Sequence, residues 1–351
     1  MHIAQIAPLW ERVPPHKYGA IEALVGSLTD GLVQRGHKVT LFASGDSLTC
    51  GTLFSVHDKA LHHDPQITEP EIYRLLQLCQ VVDHADSFDI IHSHLHSHTG
   101  CMALPFLRNI RVPVVHTIHS FFTNDNIKLF RQCAEQSFIS VSHGQRRYLP
   151  NINYIATVHH GIYTEHFPFR AQPDTPPYLV FLGRIRPEKG ADIAIEVARR
   201  TGFTLKMAGR IKHQDRQYFE QSILPFIDGQ QVQFLDELDF SDKTRLMAGA
   251  TATLFPTQVP EPFGLVLCES MACGTPVVSF KGGAVSEIIK DGETGFVADT
   301  LSDMVEKVLL AASLSRYACR EYVQLHFSVE RMVDGYEAVY RQIVKKEKSL
   351  F

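Results

Sequence analysis

The chain has 351 residues and a mass of 39.5 kDa, a length that suggests two domains of ordinary size. Hydrophobic residues make up 44% and charged residues 21%, the profile of a soluble globular protein, which excludes a disordered tail and a collagen-like chain. The net charge of −4 and the isoelectric point near 6.5 carry no strong electrostatic footprint for nucleic acid. The seven cysteines are odd in number and contain no CxxC, which reads as reduced, intracellular usage and not as a disulfide framework.

Met1 leads straight into the apolar segment Ile3–Ala7, with no basic leader, and this segment reads as a first strand and not a signal peptide. No apolar run approaches the roughly 18 residues needed to span a bilayer, so a cytoplasmic location is expected. A polar loop from Pro8 to Tyr18 follows. Ile21, Leu24, Val25, Leu28 and Leu32 then fall at helical spacing, and Gly36 ends that helix. Val39–Ala43, Ile90-Ile91, Pro113–Thr117 and Phe138–Val141 read as further strands with helical stretches between them. Phe167–Pro177 holds four prolines in eleven residues and reads as a linker or domain boundary.

After this segment the alternation restarts with strands at Tyr178–Leu182, Thr204–Ala208, Gln231–Leu235, Thr251–Phe255, Pro276–Ser279 and Gly295–Val297. Strands alternating with helices predict parallel sheets covered on both faces. The expectation is therefore two doubly wound, Rossmann-like α/β domains, over 1–167 and 178–328. The last helix, about Val329 to Lys345, is long enough to cross back over the linker, and the segment 329–351 is expected to return to the first domain.

Ligands of such sheets sit at the carboxyl ends of the strands. After Tyr178–Leu182 come Arg184 and Lys189, a cation pair around Pro187, which suits a diphosphate. After Thr251–Phe255 come Glu261 and Glu269, with Pro262 and Gly264 marking a helix start near 263. Both glutamates could touch one elongated ligand bearing vicinal hydroxyls, or could simply be a dipole-favoured and a surface carboxylate. Gly282-Gly283 could let a ligand approach the backbone, although a plain turn accounts for it equally well. Gly19 and Ala20 open the first long helix and could cap an anion.

Histidine is the unusual residue: 16 of the 19 lie at or before position 165. His92, His94, His96 and His98 alternate, which in a strand would put all four on one face. A metal site is one reading. A polar strand-to-helix loop is the favoured one, because the nearby acidic residues and cysteines form no zinc spacing. The chain has no P-loop, no GxGxxG and no GxSxG elbow, which argues against an NTPase, an NAD enzyme and a serine hydrolase.

Taken together, Arg184…Lys189, Glu261-x7-Glu269 and Gly282-Gly283…Glu287 resemble the retaining glycosyltransferases of family 4, which have the GT-B fold, two Rossmann-like domains facing a central cleft. The first half agrees in Tyr18-Gly19-Ala20, Arg35–Val39, Asp89–His92, His116–His119 and Val158–Ile162, so the resemblance spans nearly the whole chain. It implies transfer of a sugar from a nucleotide-diphosphate sugar, with no cofactor and no metal. By the same resemblance Arg184 and Lys189 hold the donor diphosphate, and Glu269 holds the ribose hydroxyls. Glu261 and the amides of Phe263, Gly264 and Leu265 hold the transferred sugar. His119 faces that sugar, and Gly19 lines the phosphate side. Two departures bear on the first half: Ala20 stands where many relatives have a second glycine, and His160 and Tyr163 flank Gly161 where many have Asn or Asp. Two other readings use the same donor contacts: a GT-B sugar-nucleotide epimerase and a non-catalytic nucleotide-sugar binding module. A histidine-based metal hydrolase is a third. The acceptor, the sugar and the base are not encoded in these motifs.

Overall fold

The structure is a computed structural model, and it describes residues 1–16, 19–96 and 100–348. The chain divides into two compact units, one made of Met1–Gly161 and the chain from Val329, the other of Ile162–Ser328.

The first unit carries a seven-stranded parallel sheet in the order β3-β2-β1-β4-β5-β6-β7. Its strands are β1 His2–Ile6, β2 Lys38–Phe42, β3 Thr52–Phe54, β4 Ile90–Leu95, β5 Val114–Ile118, β6 Ser137–Ser140 and β7 Tyr154–Thr157. The central strands are buried along almost their whole length, as helices on both sides of a sheet require, although Gln5, His92, His94, His116 and Thr117 interrupt their apolar residues. Strand order reverses between β1 and β4, and that reversal is where doubly wound sheets open a crevice at their carboxyl edge.

The helix Val329–Lys348 belongs to this unit. It buries Met332, Val333, Tyr336, Tyr340 and Val344, one face at helical spacing. Gly31, on the helix Ala20–Gln34, is where the two helices come closest: a Cβ there would stand 2.6 Å from Val333 Cγ2. At the outer edge Glu337 takes hydrogen bonds from Arg341 at 2.5 Å, Arg35 at 2.9 Å and His37 at 2.9 Å. Arg341 first, then His37 and Arg35, hold its carboxyl down at about 2.

The second unit carries a six-stranded parallel sheet in the order β10-β9-β8-β11-β12-β13. Its strands are β8 Tyr178–Leu182, β9 Thr204–Ala208, β10 Val232–Phe234, β11 Ala252–Phe255, β12 Val277–Phe280 and β13 Gly295–Ala298. The switch point here lies between β8 and β11.

The proline-rich segment expected as a linker is not one. Residues 162–177 belong to the second unit and are strapped to it. The Arg170 amide donates to Cys273 O at 3.3 Å and the Asp174 amide to Gly249 O at 2.8 Å. Arg316 Nε donates to Arg170 O at 2.7 Å and Arg320 Nη1 to Phe167 O at 2.8 Å. Prolines withhold backbone donors and keep the segment extended, and two arginines satisfy its carbonyls, so it lies flat and does not hang free. The chain passes between units at Gly161/Ile162 and again at Ser328/Val329. Ile162 donates to Phe327 O at 2.9 Å, so the two crossings start side by side. Among the described residues no helix is long and apolar enough to cross a membrane.

One buried carboxyl makes the first unit sensitive to pH. Glu22, in the first turn of the helix Ala20–Gln34, is 6% exposed, and burial raises its pKa from 4.5 to about 7. A raised folded pKa gives stability that is fully present below 4.5 and lost as pH rises through about 7. Glu22→Gln is therefore expected to flatten that dependence. Urea unfolding of wild type against Glu22→Gln should show their difference change by on the order of 3 kcal/mol between pH 4.5 and pH 8. Parallel curves would place the Glu22 carboxylate in water.

Candidate active site

In the second unit three loops meet at the carboxyl ends of β8, β11 and β12. The first, Gly183–Gly190, ends in a single turn, Pro187–Lys189. It is pinned to the second, Pro256–Gly264: the Gln258 amide donates to Glu188 O at 2.8 Å, Thr257 Oγ1 to the same carbonyl at 3.1 Å, and Gln258 Nε2 to Pro187 O at 3.0 Å. The third loop, Lys281–Ala284, lies against Glu261, whose carbonyl accepts the Ala284 amide at 3.0 Å. Gly283 has φ +52°, and a Cβ there would stand 2.0 Å from Glu261 O. Only glycine fits that approach, which gives Gly282-Gly283 a packing reason in this structure.

These loops bring Lys189 and Glu261 together. Lys189 Nζ is ion-paired with Glu261 Oε2, both side chains being largely buried, and the ammonium lies 5.6 Å from the centre of the Phe255 ring. Arg184 stands on the same loop, half-buried, and its guanidinium makes no hydrogen bond or ion pair with the described residues. Arg186 is bound up instead: its Nε and Nη2 grip Glu188 at 2.7 and 2.5 Å, and this holds the Glu188 carboxyl below its usual range. Lys212, beyond β9, has its pKa lowered by burial and by the charges of Arg184 and Arg210. The edge of β8 and β9 is thus a concentration of positive charge. Arg210 and Lys212 were not singled out from the sequence, because they follow β9 in no recognisable spacing.

Gly264, with φ +91°, opens the helix Leu265–Ala272. The amides of Gly264 and Leu265 have no acceptor among the described residues, whereas Phe263 is buried and its ring lies 5.9 Å from that of Phe327. Glu269 sits within this helix, and both its oxygens are held by Lys243 Nζ, at 3.0 and 2.9 Å. Lys243 comes from the helix Phe240–Gly249 and belongs to no motif, so sequence reasoning missed it. Each glutamate of the Glu-x7-Glu segment therefore has its own lysine.

In the first unit, Gly19 stands at φ +140° just before the helix Ala20–Gln34. A Cβ there would meet Pro15 Cβ at 2.7 Å and Glu22 Oε2 at 3.1 Å. His119 follows β5. Its Nε2 is 2.9 Å from His94 Nδ1, and its ring stacks on His160 with centroids 5.1 Å apart and planes 15° apart. A strand face of all four histidines, the less favoured reading of their alternation, is not seen among the described residues. β4 ends at Leu95, so only His92 and His94 share a strand face; His96 follows the strand, and His98 lies outside the described residues. Both ring nitrogens of His92 and of His94 are taken by side-chain hydrogen bonds. Burial pushes both imidazoles well below their ordinary range. Among the described residues no three His, Cys, Asp or Glu side chains stand close enough to hold a metal ion. All seven cysteines are free, five of them buried.

The glycosyl transferases group 1 family matches residues 163–322, and glycosyltransferase family 4 matches residues 21–166. An uncharacterized glycosyltransferase of Methanocaldococcus jannaschii is 25% identical over 284 residues, 74% of this chain and 77% of that protein. A second uncharacterized glycosyltransferase of the same organism is 25% identical over 377 residues, 92% of this chain and 91% of that protein, whereas a glycogen synthase of Mycobacterium tuberculosis, 35% identical, is matched over 36% of its length. Among solved structures, a sucrose-phosphate synthase from Thermosynechococcus elongatus aligns with a TM-score of 0.79 at 20% identity, over 99% of this chain and 100% of that one. Anabaena HepE, solved in complex with UDP, aligns with a TM-score of 0.72 at 17% identity, over 99% and 100%. The two family matches together run from residue 21 to residue 322, one to each unit, and the chain belongs to the glycosyltransferases of family 4 and group 1, with the GT-B fold.

Proposed function

We propose that this protein moves a sugar from a nucleotide-diphosphate sugar to an acceptor with retention of anomeric configuration, and that side-chain cations instead of a metal receive the charge of the leaving diphosphate. The observation that carries this reading is an Arg184 guanidinium with no hydrogen-bond partner among the described residues, on the same loop as the Lys189 that pairs with Glu261, at the switch point of the second sheet. As the bond from the anomeric carbon to the diphosphate oxygen breaks, its electron pair goes to the phosphate. A guanidinium with open donors and an ammonium held at that edge by Glu261 stabilise the developing anion. The complex of Anabaena HepE with UDP is in keeping with a nucleotide donor.

On this reading Glu269 takes the ribose hydroxyls, with Lys243 steadying the carboxylate. Glu261 takes hydroxyls of the transferred sugar, assisted by the amides of Phe263, Gly264 and Leu265. The first unit supplies Gly19 and His119. The acceptor hydroxyl attacks on the face the diphosphate leaves, and its proton passes to the departing phosphate oxygen, so no covalent sugar–enzyme intermediate forms.

Arg184→Ala and Lys189→Ala should each lower turnover on the order of 10²–10³-fold; Arg184→Ala should leave the urea midpoint near wild type, whereas Lys189→Ala, which strips Glu261 of its partner, should lower it while the protein still folds. Near-wild-type turnover in both variants would remove the diphosphate assignment. In the same assay, activity should persist with EDTA present, and proton NMR of the first-formed product should show the donor's anomeric configuration kept. Loss with EDTA that Mg²⁺ or Mn²⁺ restores would contradict the cationic mechanism, and an inverted linkage would contradict the stereochemistry.

A further inference from the structure

Behind His119, inside the first unit, runs a buried chain of side-chain hydrogen bonds that begins on the C-terminal helix. Tyr336 Oη is 3.2 Å from Thr117 Oγ1 on β5, and Thr117 Oγ1 is 2.7 Å from His92 Nε2 on β4. His92 Nδ1 is 2.6 Å from Tyr340 Oη, which receives Gln5 Nε2 of β1 at 3.1 Å. Gln5 Oε1 is 2.7 Å from His94 Nε2, and His94 Nδ1 is 2.9 Å from His119 Nε2. Gln5, His92, Thr117 and Tyr340 are 0% exposed, and His94 and Tyr336 1%. So much buried polarity in a sheet core costs stability unless every group is paired, and here the pairing is complete up to His119.

The chemistry of the groups gives this chain a direction. A carboxamide oxygen only accepts, so His94 donates to Gln5 from Nε2. Burial, the neighbouring imidazoles and the buried Arg74 charge all disfavour a second proton on His94, so its Nδ1 has none to give. It therefore accepts, and His119 donates from Nε2. His119 is held neutral too, by burial and by the facing imidazoles of His160, His92 and His96. Its Nδ1 is then a bare lone pair, and that atom is buried with no partner among the described residues. At the other end, the Gln5 amide donates to Tyr340, whose hydroxyl donates to His92 Nδ1. His92 Nε2 donates to Thr117, and Thr117 to Tyr336. Each link of the chain thus pairs one donor with one acceptor.

We infer that Gln5 and Tyr340 are positioning residues: acting through His94, they fix the His119 imidazole as its Nε2–H tautomer and present Nδ1 as a hydrogen-bond acceptor for a hydroxyl of the bound substrates. The functional half of this inference rests on the role proposed above for His119. The tautomer itself does not, and it can be read in the protein without any substrate. It gives the C-terminal helix a part in the chemistry: this segment, last in sequence, orders protons beside a residue more than two hundred positions earlier.

Long-range proton–nitrogen NMR spectra of the full chain, labelled at the histidine ring nitrogens, report the tautomer directly. His119→Asn identifies the signal. Wild type is expected to show a single neutral Nε2–H form for His119 from pH 6 to pH 8. Tyr340→Phe and, independently, Gln5→Leu should turn it into a mixture of tautomers, whereas Tyr336→Phe, at the accepting end, should leave it single. In transfer assays Tyr340→Phe should lower kcat without a matching rise in donor KM. A wild-type His119 carrying its proton on Nδ1, or a single Nε2–H form surviving in both Tyr340→Phe and Gln5→Leu, would overturn the inference. The first result needs only the wild-type protein, so it stands even if a variant fails to fold, and neither result touches the transferase reading.

Discussion

The donor-side arrangement hangs on the position of Glu261. Its carbonyl is capped by the Ala284 amide, its backbone is so close to Gly283 that no side chain fits there, and its carboxylate is engaged by Lys189. These three constraints tie the loops after β8, β11 and β12 into one body, so a diphosphate bound by one loop and a sugar held by another would meet a fixed geometry. The ion pair also keeps a largely buried carboxylate and ammonium from standing unpaired, which in a site of low dielectric would cost several kcal/mol. Glu261 and Glu269 are thus each matched by a lysine, while the Arg184 guanidinium has no partner among the described residues. A pre-formed edge with a spare guanidinium loses little by reorganising when an anion arrives.

The first unit solves a different problem. Its central strands carry histidines, a glutamine and a threonine where a parallel sheet ordinarily carries aliphatic residues, and two tyrosines of the C-terminal helix complete their hydrogen bonds. The helix that closes the chain is thus held both by apolar packing through Val333 and Val344 and by polar pairing through Tyr336 and Tyr340. The buried imidazoles are kept neutral, which suits hydrogen bonding and disfavours any role that needs a charged histidine in this core.

Much of the fold was legible in the sequence because buried parallel strands announce themselves as short apolar runs. Tyr178–Leu182 and Thr204–Ala208 are strands with those same bounds. The strands that escaped notice are edge or short elements: Thr52–Phe54 has only three residues, and Tyr154–Thr157 is half-buried throughout, so neither shows a run or an alternation. Phe167–Pro177 misled because proline density marks extended chain, and extended chain can lie along a surface as well as bridge two domains. The alternating histidines were read in the main as a polar loop, because histidine is rare in buried strands, yet His92 and His94 lie within β4, which ends at Leu95. Arg184, Lys189 and Glu261 could be singled out as candidates because they lie in the loops that follow β8 and β11. Lys243 was not, because it reaches Glu269 from a separate helix, 26 residues earlier, and only the fold brings the two together.

The central claim is that the second unit holds a nucleoside diphosphate through Arg184 and Lys189. Thermal unfolding of the full chain against UDP, GDP and ADP, each compared with its monophosphate, tests this most directly. At a hundred times its Kd a ligand of the folded state stabilises by about 2.7 kcal/mol, a clear rise in midpoint. At least one diphosphate should give this rise, its monophosphate much less, and the Arg184→Ala/Lys189→Ala double variant, folded by circular dichroism though with a lower midpoint of its own, none. A diphosphate shift that persists in the double variant, or no shift with any diphosphate, would contradict it.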